Sequence, residues 1–399
     1  MVYKLKKSTH ILFFLLFLAG CVQPPKADVP VISAETRYRT KLSNLFSSVT
    51  IVPLETHSNG LIGLDVRRIE VFNDQIFMLN FRHAGHNILC FHSSGRFLFN
   101  IDRLGPGPQE YAILNDFFID RTRENLVLAT GRLRFFRIDL SGHLLEIKQA
   151  DDIYQGRQMI YLNDSTILVF NDIGSVLPDI DLLALDAETF NIRGTSKARN
   201  NLGRVLYLMS PISVHSGRVL YYATDTIFDA TDISNRTIMY AVDFGRAHRL
   251  SVNTLKRHAE TMTHDQLFDR AIDMFTRRQL FMPLALFENN RFIVINYRQN
   301  SSRASLERIE FETSFLLYDK ESSRTYNSRN IAFDALNLPD MGEFNILGKY
   351  GEAFYAIFTP EWTPQNKERM LRSEHLSEEL RQHILEADEE ANPWLVILK

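Results

Sequence analysis

Two histidines three residues apart are the first residues of this chain that could do chemistry. His83 and His86 enclose Ala84-Gly85 in what reads as a loop, and neutral imidazoles are common ligands of zinc. A metal site needs further donors, and the run 82–86 contains no acidic residue. Because the chain has twelve histidines, a pair at this spacing also arises by chance. We expect no metal and no cofactor, and we keep His83 and His86 as candidate ligand-binding residues.

Arginines in several predicted loops indicate a second kind of chemistry. A guanidinium group binds carboxylates and phosphates through two parallel hydrogen bonds. The candidates for binding an anionic glycan or a carboxylate are Arg82, Arg103, Arg134 and Arg298. The alternative is that these arginines are only solvated.

Tyr111 is a further candidate because it ends the run Gly-Pro-Gly-Pro-Gln-Glu-Tyr at 105–111. Two prolines remove amide donors from this run and no Gly-Lys-Ser follows it, so it is not a phosphate-binding loop. We expect a rigid connection in which Tyr111 packs inward and Glu110 accepts hydrogen bonds from backbone amides.

Sequence motifs of known catalytic sites are missing. The chain contains no Gly-x-Ser-x-Gly turn, no zinc-protease helix motif and no dinucleotide fingerprint. Its net charge is −3, without a cluster of basic residues, which argues against a nucleic-acid partner. A hydrolase or lyase is the alternative to a binding protein, with a catalytic carboxylate among Asp116, Asp120 and Asp172.

The first twenty-one residues indicate export. Three lysines precede an unbroken apolar run at 11–18, and small residues follow it, which is typical of a secretory signal. A helix of that length rises about 12 Å, too little for a ~30 Å hydrocarbon core. The run Leu18-Ala19-Gly20-Cys21 resembles the lipobox of bacterial lipoproteins, and this resemblance implies cleavage before Cys21 and lipidation of its thiol.

These features predict a signal peptide at 1–20, a lipidated tether at 21–41 and one domain at 42–399. The membrane is then the partner of lipidated Cys21, and we expect the cell envelope as the location, with the outer membrane as the membrane concerned. Ordinary secretion is the alternative. Cys90, the other cysteine, lies in an apolar run and should be a buried small hydrophobe, so no intrachain disulfide is expected.

A polar turn followed by a strand rich in Val, Ile, Phe and Tyr recurs along the chain. The six strands after these turns lie at 75–79, 126–129, 166–170, 218–222, 291–297 and 353–358. Most copies continue into a second hairpin, with Gly95 and Gly142 at equivalent tight turns. Four antiparallel strands repeated six times predict an all-β fold, a six-bladed β-propeller. An all-β sandwich is the alternative.

The two ends of the chain are expected to close the ring. The last repeat has too few strands of its own, and apolar runs occur at 49–54 and 394–398. We predict that both runs join 353–358 in one sheet.

Two insertions are predicted to be helical and to lie on one face of the propeller. The first follows the capping-box sequence at 263–266. Its apolar residues at helical spacing are Leu267, Ala271, Ile272 and Phe275. The second spans 377–387, with Leu380, Ile384 and Ala387 as its stripe. Both stripes are expected to dock on the rim, and a groove for a partner is the alternative.

Several runs resemble a family of six-bladed β-propeller lipoproteins of Gram-negative gut bacteria. They are VTIVPLET at 49–56, the run at 105–111, and Asn392-Pro393 before the last apolar strand. The resemblance covers residue 42 to the C-terminus, although Gln109 stands where the family often has Gly. It implies architecture and location. No activity is established for that family as a class, so the resemblance assigns no catalytic residue.

Loop lengths predict which face of the propeller binds. In a four-stranded meander, the turns after the first and third strands share one face, and the remaining connections share the other. The second set is long and includes 81–87, 102–115, 171–181, 244–283, 298–310 and 360–393. Long loops on a rigid scaffold usually carry binding sites. We predict a non-catalytic binding or scaffold protein for a glycan, a peptide or an envelope protein. A module that works through protein contacts alone is a further alternative.

Overall fold

The computed structural model describes residues 29–63, 65–131, 134–152, 154, 156–171, 177, 179–197, 210–259, 261–300, 311–341 and 344–399. The predicted signal peptide, Cys21 and Asp172 lie outside these ranges. No helix within them is both long and apolar enough to cross a membrane.

Strands are the commonest element of the described chain. The N-terminal segment contains β1 (Val31–Ser33), β2 (Thr40–Lys41) and β3 (Val49–Pro53). The first three blades contain β4 (Asp65–Phe72), β5 (Gln75–Arg82), β6 (Gly85–His92), β7 (Phe97–Ile101), β8 (Leu114–Asp120), β9 (Asn125–Thr130), β10 (Arg134–Asp139), β11 (Leu144–Gln149), β12 (Gly156–Asn163), β13 (Thr166–Asn171), β14 (Ile180–Asp186) and β15 (Ile192–Lys197).

The remaining strands are β16 (Ile212–His215), β17 (Arg218–Ala223), β18 (Thr226–Asp229), β19 (Thr237–Asp243), β20 (Met282–Glu288), β21 (Phe292–Asn300), β22 (Phe311–Asp319), β23 (Arg324–Asn327), β24 (Ile331–Ala332), β25 (Asn345–Tyr350), β26 (Ala353–Phe358) and β27 (Trp394–Leu398). The α-helices are α1 (Arg246–His258), α2 (His264–Thr276), α3 (Pro364–Leu371) and α4 (Glu378–Glu386).

The sheets form a ring of six blades around a central channel. Each blade is an antiparallel meander, and its first strand lies nearest the axis. These inner strands are β4, β8, β12, β16, β20 and β25, and each contacts the next one around the ring. Contact between β25 and β4 completes the circle. The fold is therefore the predicted six-bladed β-propeller.

Neighbouring blades cover both faces of each sheet, which explains why the middle residues of the second strands are largely apolar and buried. Every residue of β9 and of β26 is buried. Side chains of adjacent blades form shared clusters, such as Phe77 and Cys90 of the first blade with Phe117 of the second. Cys90 is fully buried, as predicted, and burial raises the pKa of its thiol.

The sixth blade contains both ends of the domain, as predicted. β27 lies between β26 and β3, with Trp394 opposite Phe358 on one side and Pro53 on the other. The Trp394 side chain is fully buried and packs edge-on against Trp362, with ring centroids 5.3 Å apart. Two segments from opposite ends of the sequence thus complete one hydrogen-bonded sheet.

The folded domain starts before the predicted boundary at residue 42. β1 lies parallel to β19 as the outermost strand of the fourth blade, with Ser33 opposite Asp243. The chain then crosses the fifth blade, where Thr36 Oγ1 donates a hydrogen bond to the carbonyl of Thr325 (2.7 Å). β2 pairs with β24, and β3 enters the sixth blade. Residues 31–53, here called the N-terminal strap, therefore join three blades along the rim, and residues 31–41 are not a free tether.

Both helical pairs lie on the long-loop face, as predicted. α1 and α2 connect the fourth and fifth blades, whereas α3 and α4 connect the second and third strands of the sixth. The predicted capping box is present, since Thr263 Oγ1 accepts from the Gln266 amide and Gln266 Oε1 accepts from the Thr263 amide. The α4 stripe docks on the sixth blade, whereas the α2 stripe packs mainly against α1, with Met282 of β20 beside it. Their buried residues are Leu267, Ala271 and Phe275 of α2 with Leu380 and Ile384 of α4, and Ala387 directly after α4.

One predicted long loop is in fact a tight hairpin. β5 and β6 are joined by His83-Ala84 alone, and Gly85 has a φ of 129° that other residues rarely adopt. Residues 81–87 are therefore strand ends and a two-residue turn. The reason is that Arg82 pairs directly with Gly85, which extends the ladder to the last residue before the turn.

Candidate functional site

A β-bulge recurs at the same place in five of the inner strands. One residue near the long-loop end of β4, β8, β12, β20 and β25 is skipped in the pairing with the second strand of its blade. The skipped residues are Arg67, Asn115, Arg157, Leu284 and Leu347. A bulge re-aims a side chain that regular pleating would hold within the blade. All but Leu347 line one cavity.

This cavity lies where the central channel meets the long-loop face, and we call it the long-loop mouth. Its volume is ≈ 440 Å³, within the range of small-molecule sites. The polar residues that line it are Asp65, Arg67, Arg68, Asn115, Asp116, Arg157, Ser210 and Arg298. The apolar residues that line it are Leu79, Phe268, Ile272, Met282, Leu284 and Phe311.

Two arginines of the mouth have hydrogen-bonding atoms without a partner. Arg298 donates to Asp65 Oδ2 at 3.3 Å, but its Nε is buried and makes no hydrogen bond. The Nε of Arg67 is likewise buried and unbonded, and its guanidinium lies 4.7 Å from the centroid of the Phe81 ring. Such donors favour a ligand that supplies acceptor atoms, because a buried polar group without a hydrogen bond costs free energy.

The charges of the mouth repel one another. Burial lowers the pKa of Arg67, and the nearby Arg157 and Arg298 lower it further, while Asp65 opposes them. Burial also raises the pKa of Asp65 against the effects of Arg298 and Arg67. An anion that enters the cavity would relieve the repulsion among the guanidinium groups.

Arg68 forms the floor of the mouth and is fully engaged with protein groups. Its guanidinium bonds to Asp116 Oδ2 (2.7 Å), to the Met159 carbonyl (2.7 Å) and to Glu70 Oε1 (2.6 Å). Asp116 also accepts from the amide of Met159 at 2.7 Å. Burial raises the pKa of Asp116 to about 6, and Arg68 acts against that rise. These bonds join the inner strands of three blades.

A second cavity lies on the other side of Arg68, at the end of the channel that the short turns surround. We call it the short-turn mouth, and its volume is ≈ 260 Å³. Its charged and hydroxyl-bearing residues are Arg68, Glu70, Arg121, Tyr161, Ser210, Ser213, Lys349 and Tyr350. Arg68 thus divides the channel into two separate cavities.

Helix α2 supplies an apolar wall of the long-loop mouth. Phe268 and Ile272 come from this helix and line the cavity with Phe311 of β22. The helix is fixed at its end, because Asn300 Nδ2 donates to the carbonyl of Thr276 at 2.7 Å. The wall is therefore held in place by contacts with the fifth blade.

Of the residues predicted to bind a ligand, the structure places Arg298 in the mouth. Arg82 forms an ion pair with Asp102 (2.8 Å). Arg134 donates to the carbonyls of Glu110 (3.1 Å) and Pro108, and so holds the loop at 105–111 in place. Their ligand-binding roles stay predictions, and neither lines the long-loop mouth.

The loop at 105–111 has the predicted rigid form. Glu110 Oε2 accepts from the amide of Gly107 at 2.7 Å. Tyr111 is 2% exposed, its hydroxyl lies 3.4 Å from the amide of Arg103, and burial raises its pKa to about 12. Arg103 also accepts from the Tyr111 amide through its carbonyl (2.8 Å). Tyr111 thus packs inward.

The two candidate histidines lie on a hairpin rather than in a long loop. His83 is exposed at the turn, whereas His86 lies on β6 and is half-buried. Burial and the charge of Arg67 lower the pKa of His86 to about 4, so that its ring is neutral at physiological pH. Among the described residues, no three His, Cys, Asp or Glu side chains group as a metal ion would require.

A family model described as a domain of unknown function, DUF4934, matches residues 27–399. The chain belongs to this family. The DUF4934 match includes the N-terminal strap, in agreement with its place in the fold. A comparison with curated proteins gave no match.

Two solved structures show the same fold. A protein of Bacteroides fragilis described as exported is similar with a TM-score of 0.68 and 17% identity, over 93% of this chain and 99% of that one. A member of the DUF4221 family from Bacteroides vulgatus is similar with a TM-score of 0.51 and 10% identity, over 88% and 96%. Identities this low establish a shared fold and no shared activity.

Sequence reasoning missed Arg67 and Arg157. Both stand near the start of an inner strand, directly before a buried polar residue, which is Arg68 in β4 and Gln158 in β12. An arginine at the same position of two different repeats is a signal that an alignment of the repeats contains. The bulge that directs these side chains to the channel has no such signal.

Proposed function

We propose that this protein is an exported, lipid-anchored β-propeller that binds an acidic ligand at the long-loop mouth without converting it. The observation that carries the proposal is the group of three arginines there, Arg67, Arg157 and Arg298. Two carboxylates also line the mouth. Asp116 is bonded to Arg68, which leaves Asp65 as the carboxylate that faces the three arginines.

The lining of the mouth combines two kinds of surface. The arginines offer paired donors for a carboxylate, and Phe268 and Phe311 line the same cavity, with the Arg298 guanidinium 5.6 Å from the centroid of the Phe311 ring. A uronic acid residue combines a carboxylate with a sugar ring whose C–H face packs on aromatic side chains. We therefore propose an acidic glycan as the ligand, bound through a terminal or exposed uronic acid.

Titration calorimetry with tri-galacturonic acid tests this proposal. We expect binding that neutral galactotriose does not show. Arg67→Gln and Arg157→Gln should each lower the affinity about tenfold, because each removes a charge-assisted contact. Arg249→Gln is the matched control, since Arg249 lies on α1 of the same face and pairs with Asp243 at 3.3 Å.

Two comparison ligands test the acidic site and the glycan preference separately. Equal binding of both trisaccharides would overturn the acidic site. Equal affinity for tri-glutamate would keep the acidic site and overturn the glycan.

Lipid anchoring rests on the sequence around Cys21, and a structural relative described as exported supports the export part. When the full chain is expressed with its own leader, we expect it in the detergent phase of a phase-separating detergent. Cys21→Ser should move the protein to the aqueous phase or leave it uncleaved. Unchanged partitioning of this variant would contradict the anchor and leave the binding proposal intact.

A further inference from the structure

Lys349 lies at the short-turn mouth with an unusual set of neighbours. It belongs to β25 of the sixth blade and lines the ≈ 260 Å³ cavity. Its Nζ is 2.8 Å from Nδ1 of His215, which ends the inner strand of the fourth blade. The amine thus reaches across the channel to an imidazole.

A chain of hydrogen bonds sets the tautomer of that imidazole. Asn290 donates from its backbone amide to Glu352 Oε2 (2.9 Å) and from Nδ2 to Glu352 Oε1 (2.8 Å). Asn290 Oδ1 is therefore the acceptor for His215 Nε2 at 3.0 Å. With its proton on Nε2, His215 directs the Nδ1 lone pair at Lys349. Glu352 and Asn290 thus orient His215, and the imidazole is the group that can accept a proton from the amine.

The same surroundings disfavour the charged form of the amine. The ion pairs found among the described residues include none between Lys349 and a carboxylate within 4.0 Å, and His215 is its hydrogen-bond partner. Burial lowers the pKa of Lys349 to about 8, although Glu352 and Glu288 oppose this. A sizeable fraction of the side chain is then a neutral amine slightly above neutral pH.

We propose that Lys349 is a nucleophilic amine that forms an imine with a small aldehyde or keto acid entering the short-turn mouth. The cavity is lined by Arg121, whose guanidinium donates to the Val71 carbonyl at 3.2 Å and lies 3.6 Å from Glu70 Oε2. An acidic group on the compound would compete with Glu70 for this guanidinium, which also lies 4.7 Å from the centroid of the Tyr350 ring. A cavity of this size admits only a small compound. The site is at the opposite end of the channel from the acidic-ligand site and does not depend on it.

The reaction needs no oxidant or reductant. The amine lone pair forms a C–N bond as the carbonyl π bond breaks, and the proton released by nitrogen passes through His215 Nδ1 to the carbonyl oxygen. The product is a carbinolamine. It loses its hydroxyl as water after protonation, nitrogen gives up its second proton, and an imine remains.

Reductive trapping with glyoxylate and cyanoborohydride tests the proposal on the intact protein. Each trapped imine leaves a carboxymethyl group on lysine, and peptide mass mapping gives the rate at every lysine. At pH 8 we expect Lys349 to react on the order of tenfold faster than Lys148 and Lys320. Lys148 and Lys320 are suitable controls because each pairs with a carboxylate, Lys148 with Glu188 and Lys320 with Glu288. Equal rates at the three lysines would overturn the proposal.

Single substitutions test the role of each residue of the site. Lys349→Arg should abolish the label at this position. His215→Gln should slow labelling of Lys349 several-fold, and an unchanged rate would contradict the proton transfer through His215. Arg121→Gln should remove a preference of Lys349 for glyoxylate over neutral acetaldehyde, and a preference that persists would contradict the role of Arg121. Thermal melting of each variant confirms that it is folded before labelling.

Discussion

The two mouths of the central channel are built from the same inner strands, yet their polar groups are used differently. At the long-loop mouth, Arg67 and Arg298 keep buried Nε atoms that make no hydrogen bond. At the short-turn mouth, His215 and Lys349 belong to a continuous chain of hydrogen bonds that ends at Glu352. The long-loop mouth therefore has donors available to a ligand, whereas the short-turn mouth has hydrogen-bonded groups between which a proton can pass.

The length of the connections explains this difference. Tight turns bring residues of neighbouring blades close together, as Asn290 and Glu352 show, so that side chains bond across the face. Long connections separate the strand ends, and the bulged Arg67 and Arg157 line a cavity there. The long-loop mouth therefore keeps room for a ligand beside its arginines.

The largest effect is expected at Arg68, where the two cavities meet. Arg68→Met leaves the buried carboxylate of Asp116 without its guanidinium and removes one of the two arginines near Glu70, and it should lower the free energy of unfolding by about 3–5 kcal/mol. Arg67→Met, one residue away, should change it by less than about 1 kcal/mol, because Arg67 is held by no ion pair within 4.0 Å among the described residues. Urea denaturation measures both. Similar losses in the two variants would show that the mouth arginines are structural.

A smaller effect is expected from Lys349 and depends on pH. Its pKa is lowered to about 8 in the folded protein from 10.5, so the unfolded chain binds more protons between these values. The contribution of Lys349 to the free energy of unfolding therefore rises with pH from about 8 to 10.5 and is lowest below pH 8. Lys349→Met should be more stable than the wild type at pH 7, by roughly 1 kcal/mol, and should reduce the slope across that window. Parallel curves of unfolding free energy against pH would contradict the shifted pKa.

The smallest effect is expected from Asp65. Asp65→Asn removes the negative charge that faces the three arginines and should raise the affinity of the long-loop mouth for inorganic sulfate about two- to fivefold. Asp102→Asn, which removes the partner of Arg82 away from the mouth, is the matched control and should leave sulfate binding unchanged. Isothermal titration gives both affinities. Weaker binding by Asp65→Asn would mean that this carboxylate positions Arg298 rather than opposing the ligand.

Much of the architecture could be predicted from the sequence, because it follows from repeated motifs and from the pattern of apolar residues. Six turn-and-strand repeats indicate the blades, and apolar runs at both ends indicate the shared sixth blade. The helix α2 is visible in its capping box and stripe. The helix α1 is not, because its buried face includes His248 and Ser251, which weaken the apolar pattern.

The site was less accessible to sequence reasoning, for a reason of geometry. Side chains alternate between the two faces of a strand, so the sequence predicts which of them share a face. A single bulge reverses that assignment for the residues that follow it. Arg298 was predicted from its place beside a long loop, whereas Arg67 and Arg157 depend on bulges. Of the strap, β3 was predicted, whereas β1 was missed because it has only three residues and gains its place by pairing with β19.

The shared sixth blade also sets the order in which the protein can be completed. Ser47 Oγ donates to the carbonyl of Lys399, a residue 352 positions later in the chain. The strap leaves the ribosome long before β27, and its β3 finds its partner only when β27 exists. Until then, β3 and the two strands of the sixth blade that precede β27 have open edges, which favour pairing with other chains. Such a chain gains from staying unfolded until β27 has been made.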